Sequence, residues 1–282
     1  MVAGTGWWRR SIGARVIALF LGLLLAIQVV SFTALRGSLT RHARHELPAR
    51  VAEGERLLQT LLDRRAQTLL GGARVLASDY GFRAALASND NQTIVSVLSN
   101  HGARIGATVS ALLASDFTLR SATSSTPQAI VPLIQRLVAQ AATEGTGDAI
   151  ALVDGHPIQA VLVPVKAPRT IGWVLMGFPL DAQVASDLHG LSGLDLTLLQ
   201  RRTVDDPWHP AASSAEGALA IGLGGISPRQ AAPPSSRTTA IVNGEEYVVA
   251  TVPLDNARTT DGVDGVLGLL SLSVDAAVKL PL

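Results

Sequence analysis

Residues 76–94, LASDYGFRAALASNDNQTI, bring a carboxylate, a phenol, an apolar ring and a guanidinium close together in Asp79, Tyr80, Phe82 and Arg83. His101 and Arg104 follow shortly after. Asp79, Tyr80, Arg83, His101 and Arg104 are therefore the candidate ligand-binding residues. Between them they offer charges and directed hydrogen bonds to a small polar molecule. The same residue types also cap helices and pair on surfaces. The run Ser88-Asn89-Asp90-Asn91 has the composition of a cap and turn.

Elsewhere the spacing that catalysis needs is missing. The chain has no G-x-S-x-G elbow, no G-x-x-x-x-G-K-[ST] phosphate loop, no H-E-x-x-H and no G-x-G-x-x-G. No enzymatic activity is expected. The GLGG at 222–225 reads as a loop. His42 and His45 have i, i+3 spacing, but no third ligand accompanies them, so a solvated basic face is expected rather than a metal site. No metal and no cofactor are expected. The chain has no cysteine, which excludes disulfides, thiol nucleophiles and cysteine-ligated zinc. Its net charge is only +1, which argues against nucleic acid as a partner. Trp173, among alternating apolar neighbours, reads as core.

These residues need elements to hold them. VIALFLGLLLAIQVVSFTAL, residues 16–35, is twenty residues without a charge. As a helix rising about 1.5 Å per residue it would span roughly 30 Å, the thickness of a hydrocarbon core. The run is long for a cleaved signal, and Phe32 stands where a cut after Ala34 would want a small residue. An uncleaved membrane helix is expected. Arginines flank it on both sides, Arg9, Arg10 and Arg15 before and Arg36, Arg41, Arg44 and Arg50 after, so charge counting does not orient it.

Residues 36 to about 78 read as a long helix. Leu47, Val51, Leu58, Leu61, Arg65, Leu69 and Leu76 lie near one stripe, with a kink or a fresh helix start expected at Pro48. The stripe suits packing on the chain's own domain and, nearer the membrane, a homodimer seam. Residues 93–102 read as a short helix closed by Gly102. The period then shortens. Two strands from Ile105, a helix over 127–144 and strands at 148–153, 157–165 and 171–178 make one compact α+β lobe, with a hairpin turn at Asp154-Gly155. The order partly repeats. A helix at 180–190, a strand at 194–200, a hairpin around Asn243-Gly244 and a last strand at 265–274 follow, separated by a Pro/Ser/Ala-rich stretch over 206–236. DAAVKLPL reads as the start of a further helix.

ARVLASDYGFRAALASNDNQTIVSVLSNHGARIGA (73–107), LSGLDLTLL (191–199), NGEEYVVATVPL and GVLGLLSLSVDAA resemble the double-Cache sensor regions of bacterial diguanylate cyclase, phosphodiesterase and histidine kinase receptors. The resemblance covers roughly 36–278. It implies an α+β fold with an N-terminal transmembrane helix, a long helix and two PAS-like antiparallel-sheet lobes. Its parts would be a short cytoplasmic N-terminus (1–15), a transmembrane helix (16–35), a helical stalk with further helices (36–104), a membrane-distal lobe (105–180), a membrane-proximal lobe (181–275) and the start of an exit helix (276–282). It further implies a single pass through the bacterial inner membrane, with most of the chain periplasmic. The implied function is to bind a small ligand and pass a conformational signal across the membrane as a homodimer. The GGDEF, EAL or kinase output is expected to lie outside this chain. In that family amino-acid-binding members use an aromatic residue and an arginine for the carboxylate and an aspartate for the amine; this spacing is not clear here. The alternative is a membrane-anchored periplasmic binding or scaffold protein that acts through a partner.

Overall fold

The computed structural model describes residues 12–87, 90–124, 127–201, 206–215, 217, 222, 237–254 and 265–273. Side chains 32–46 and 48, among others, fall outside this description, as do residues 1–11 of the expected N-terminus (1–15) and the expected exit helix 276–282.

One helix, α1 (Ile12–Ser78), runs the length of the molecule. It continues through Pro48, which corrects the expectation of a fresh helix start there. Proline removes one hydrogen bond and crowds the preceding turn, but Leu47 and Val51 on either side are both buried in the core and hold the helix there. The buried stripe also differs in detail from the sequence reading. Leu47, Val51, Gly54, Leu58, Leu62, Ala66, Leu70, Ala73 and Leu76 point inward. Leu61, Arg65 and Leu69 flank this stripe and are only partly buried. Small residues at 54, 66 and 73 let the helix lie close to the sheets, a signal that an apolar-only pattern misses.

Two short helices, α2 (Tyr80–Ala87) and α3 (Asn91–Arg104), follow. The first sheet then forms from β1 (Val109–Ala114), β2 (Leu119–Ala122), β3 (Gly147–Val153), β4 (His156–Ala167) and β5 (Arg169–Pro179). A 3-10 turn over Pro127–Ile130 and helix α4 (Val131–Glu144) separate β2 from β3. The strand order is β2-β1-β5-β4-β3, antiparallel throughout. After α5 (Ala182–Ser192), the second sheet uses β6 (Asp195–Arg201), β7 (His209–Ser213), β8 (Arg237–Val242), β9 (Glu245–Pro253) and β10 (Gly265–Ser273). Its order, β7-β6-β10-β9-β8, repeats the first. The β7 strand was not expected, because it lies in the Pro/Ser/Ala-rich stretch. It sits at a sheet edge, where Pro210 can pair without a donor.

Both sheets use the same hairpin turn at the same place. Asp154-Gly155 joins β3 to β4 with φ of 50° and 77°, and Asn243-Gly244 joins β8 to β9 with φ of 52° and 84°. Two successive positive φ values define the turn whose twist matches paired strands, and Asx-Gly adopts it at least cost.

The first sheet is buried on both faces, which is why β4 and β5 read as nearly continuous apolar runs. Val161, Val163, Val165, Val174 and Met176 face Leu70, Ala73 and Leu76 of α1, Phe82 of α2 and Leu98 of α3. Ala160, Leu162, Trp173 and Leu175 face Leu133, Ile134 and Leu137 of α4. In the second sheet Leu196, Leu198, Val248, Ala250 and Leu270 pack on Leu47, Val51 and Leu58 of α1 and on Val184 and Leu188 of α5. Ile150 of β3 belongs to this same cluster, so the two sheets share a core through one strand.

Among the described residues no helix is long and apolar enough to cross a membrane. Side-chain description of the expected membrane run ends at Ser31. Within it, eleven large apolar side chains from Val16 to Val30 are each 51–75% exposed.

Candidate functional site

Most of the candidate residues have structural duties. The Asp79 carboxylate accepts from the Phe82 N–H at 2.8 Å and so caps α2. Tyr80 is 80% exposed. Phe82, two residues on and fully buried, places its ring in the core, and His101 meets that ring edge-on with centroids 6.0 Å apart. Arg104 and His101 lie in the last turn of α3, where cations complement the unsatisfied carbonyls. Asp90 caps α3 through the Gln92 and Thr93 N–H groups. The Thr93 hydroxyl and N–H hold its carboxyl below the usual carboxylate range. Asn91 accepts from the Ser121 hydroxyl at 3.1 Å, which ties α3 to β2.

Arg83 behaves differently. It lines a cleft of about 450 Å³ where the end of α1 and α2 meet β4 and the turn from α4 to β3. Arg74, Ser78, Thr146 and Lys166 share the walls, with Glu144 at the end of α4. An Arg83 terminal N–H donates to the Lys166 carbonyl at 3.3 Å, while its Nε is buried with no hydrogen-bond partner. Gly145, with φ of 76°, ends α4 and turns the chain into β3, forming one lip of the cleft. Of the five candidates only Arg83 lines this cleft. Arg74 and Lys166 were not singled out from the sequence, since they lie 92 positions apart and only the packing of α1 beside β4 brings them to one cleft.

A second polar group sits where α1 passes from one sheet to the other. The Arg65 guanidinium donates to Gln159 Oε1 at 3.2 Å and to the Pro179 carbonyl at 2.9 Å. Gln159, buried to 2% exposure, donates from Nε2 to the Leu62 carbonyl at 2.9 Å. Burial lowers the Arg65 pKa, against the opposing pull of Asp181 and Asp187. Beside this network a cavity of about 190 Å³ is lined by Asp63, Asp148 and Gln159 and, from the second sheet, Val252, Pro253 and Leu254. Burial raises the Asp148 pKa; a hydrogen bond from Gln140 opposes this, and Asp63 and Glu144 add to it. Arg65 had been read as a member of an apolar stripe. Its charge at that position was the available signal for a buried polar partner.

Trp173 is core, 8% exposed and stacked on Phe117 with centroids 4.8 Å apart. The side chains of His42 and His45 lie outside the described residues.

Comparison with known proteins gives a consistent picture. Residues 45–276 match the family model described as the double sensory domain of two-component sensor kinase. No curated protein sequence matches the chain. Among solved structures, the Vibrio cholerae LuxQ periplasmic domain aligns with a TM-score of 0.50 at 15% identity, covering 79% of this chain and 97% of that one. The ligand-binding domain of the Pseudomonas aeruginosa PAO1 amino acid chemoreceptor PctB, in complex with L-Arg, aligns with a TM-score of 0.45 at 14% identity, covering 84% and 100%. At 15% identity the likeness to the LuxQ domain is one of fold.

Proposed function

We propose, from the premise that this chain belongs to the double sensory domain family of two-component sensor kinases, that it is the extracytoplasmic ligand-sensing region of a membrane receptor. The observation that carries this reading is α1. One unbroken helix lays successive parts of a single stripe on both sheets, Leu47 to Leu62 on the second and Leu70 to Ala77 on the first. A ligand that changes the fit of the first lobe against the end of α1 biases a packed element with two arrangements, and the helix carries that change toward residues 16–35. In this reading 16–35 anchors the chain in the membrane and the outer face of α1 pairs with a second copy. The exposed apolar belt from Val16 to Val30 supports the anchor, since exposed apolar area of that extent needs a covering phase.

The chain has no cysteine, so a single introduced one is a clean reporter. Arg56→Cys, on the exposed side of α1, is expected to cross-link copies of the full chain in inner-membrane vesicles. A screen of amino acids, carboxylates and polyamines is expected to find a compound that both raises the melting temperature and changes the cross-linking rate. Stabilisation without any change at α1 would leave a binding protein and remove the signalling role.

A further inference from the structure

We infer that the cleft between the end of α1, α2, β4 and the α4–β3 turn binds a small oxyanion, carboxylate or phosphate. Arg74, Arg83 and Lys166 all line it, and the only carboxylate among the lining residues is Glu144. Glu144 already accepts from Gln140 Nε2 at 3.4 Å. Among the described residues no ion pair joins any of the three cations to an acidic side chain. Like charges sharing one concavity repel, and the natural relief is either a paired carboxylate or a bound anion. Among the described residues no such ion pair is present.

The donors also suit an oxyanion. Arginine presents a rigid fork of N–H groups to two oxygens at once, and lysine adds a mobile point charge. Arg83 is underused by its protein neighbours: one contact is long at 3.3 Å, and the buried Nε–H has no acceptor. Native proteins seldom leave such donors unmet. The volume of about 450 Å³ falls within the range of sites for small molecules. The walls come from α1 and α2 on one side and from β4 and the α4–β3 turn on the other, so an occupant would bridge the helix layer and the sheet. This assignment deepens the sensory reading by naming the ligand's charge and seat. It rests on that reading only for the consequence of binding.

The test is calorimetric titration of the full chain in nonionic detergent, in phosphate-free buffer of low ionic strength, with inorganic phosphate, succinate and citrate. At least one is expected to bind, and the arms separate phosphate from carboxylate chemistry. Arg74→Gln and Lys166→Gln, both at exposed positions, should keep the wild-type melting temperature without ligand and each weaken binding by about tenfold, the usual loss for one charge-assisted contact. Failure of all three probes overturns the proposal, as does binding that both variants leave unchanged. Amino acids or polyamines stabilising the chain while oxyanions do not bind would sink the oxyanion site and spare the sensory reading. Oxyanion binding through Arg74 and Lys166 without any change at α1 would do the reverse.

Discussion

The two sheets share a strand order and a hairpin turn, yet they meet α1 in different ways. In the first lobe α1 is one of three helices on its face, and α4 closes the other face. In the second lobe α1 and α5 cover one face, and the other carries a small cluster of Leu199, Val242, Tyr247, Val249 and Leu269 with Trp208 and Ala240 packed on it. The first lobe meets the end of α1 at a basic cleft; the second comes closest to the helix at Gly54, where a Cβ would collide with Leu194. One topology thus gives a lobe with a basic cleft beside the end of α1 and a lobe that approaches the helix closely at a glycine. The difference lies in side-chain size and charge along α1.

The largest expected effects test whether the lobes are separable. Leu137→Ala in the first lobe and Leu198→Ala in the second each remove a side chain from a fully packed site and should cost about 2–5 kcal/mol. Because Ile150 of β3 belongs to the second core, calorimetry should show one cooperative transition in both variants. Two resolved transitions in either would mean independent lobes.

Glycines at helix–sheet contacts come next. A Cβ at Gly147 would lie 2.6 Å from the Leu137 carbonyl oxygen, a backbone atom that cannot move without shifting α4. Gly147→Ala should cost about 1–3 kcal/mol. Gly54→Ala meets a side-chain end instead, and alanine regains about 1 kcal/mol of helix propensity. Chemical denaturation should therefore rank Gly147→Ala as the more damaging. The opposite ranking would show that the second lobe, not the first, makes the tighter contact with its helix.

At the passage between lobes, Gln159→Leu should cost about 1–3 kcal/mol by removing an acceptor from half-buried Arg65. Adding Arg65→Met should recover part of that loss, and a double-mutant cycle measures the coupling. Additive losses would mean that the network does not register α1 against β4.

The smallest effect is one of pH. Burial raises the Asp148 pKa, so the fold favours its protonated form. Its stabilising contribution is present at acid pH and is lost as pH rises through the raised value. Asp148→Asn should therefore gain in melting temperature relative to wild type as pH goes from 4 to 8. Asp90 and Asp116 are shifted the other way, so the difference between the two chains, rather than either curve, is the test. A difference that stays flat with pH would show that Asp148 feels no more burial than a surface carboxylate.

Much of this architecture was legible without coordinates. Period-2 runs, Asp154-Gly155 and Asn243-Gly244 marked the paired strands, because side-chain alternation and positive-φ turns are local properties. Capping at Asp79 and Asp90 was legible for the same reason. The β7 strand was not, since an edge strand with proline and small residues has almost no pattern of its own and takes its order from pairing with β6. Of the five candidate residues named from the sequence, only Arg83 lines the basic cleft. Asp79, Tyr80, His101 and Arg104 gathered in sequence but were turned by helix geometry to caps, solvent and a core ring. Arg74 and Lys166, like Arg65 and Gln159, come from elements far apart in the chain, and their meeting depends on how α1 lies on the sheets. Local chemistry is set by neighbours along the chain, whereas a cleft is set by the distance between packed surfaces, which small residues far from it help to decide.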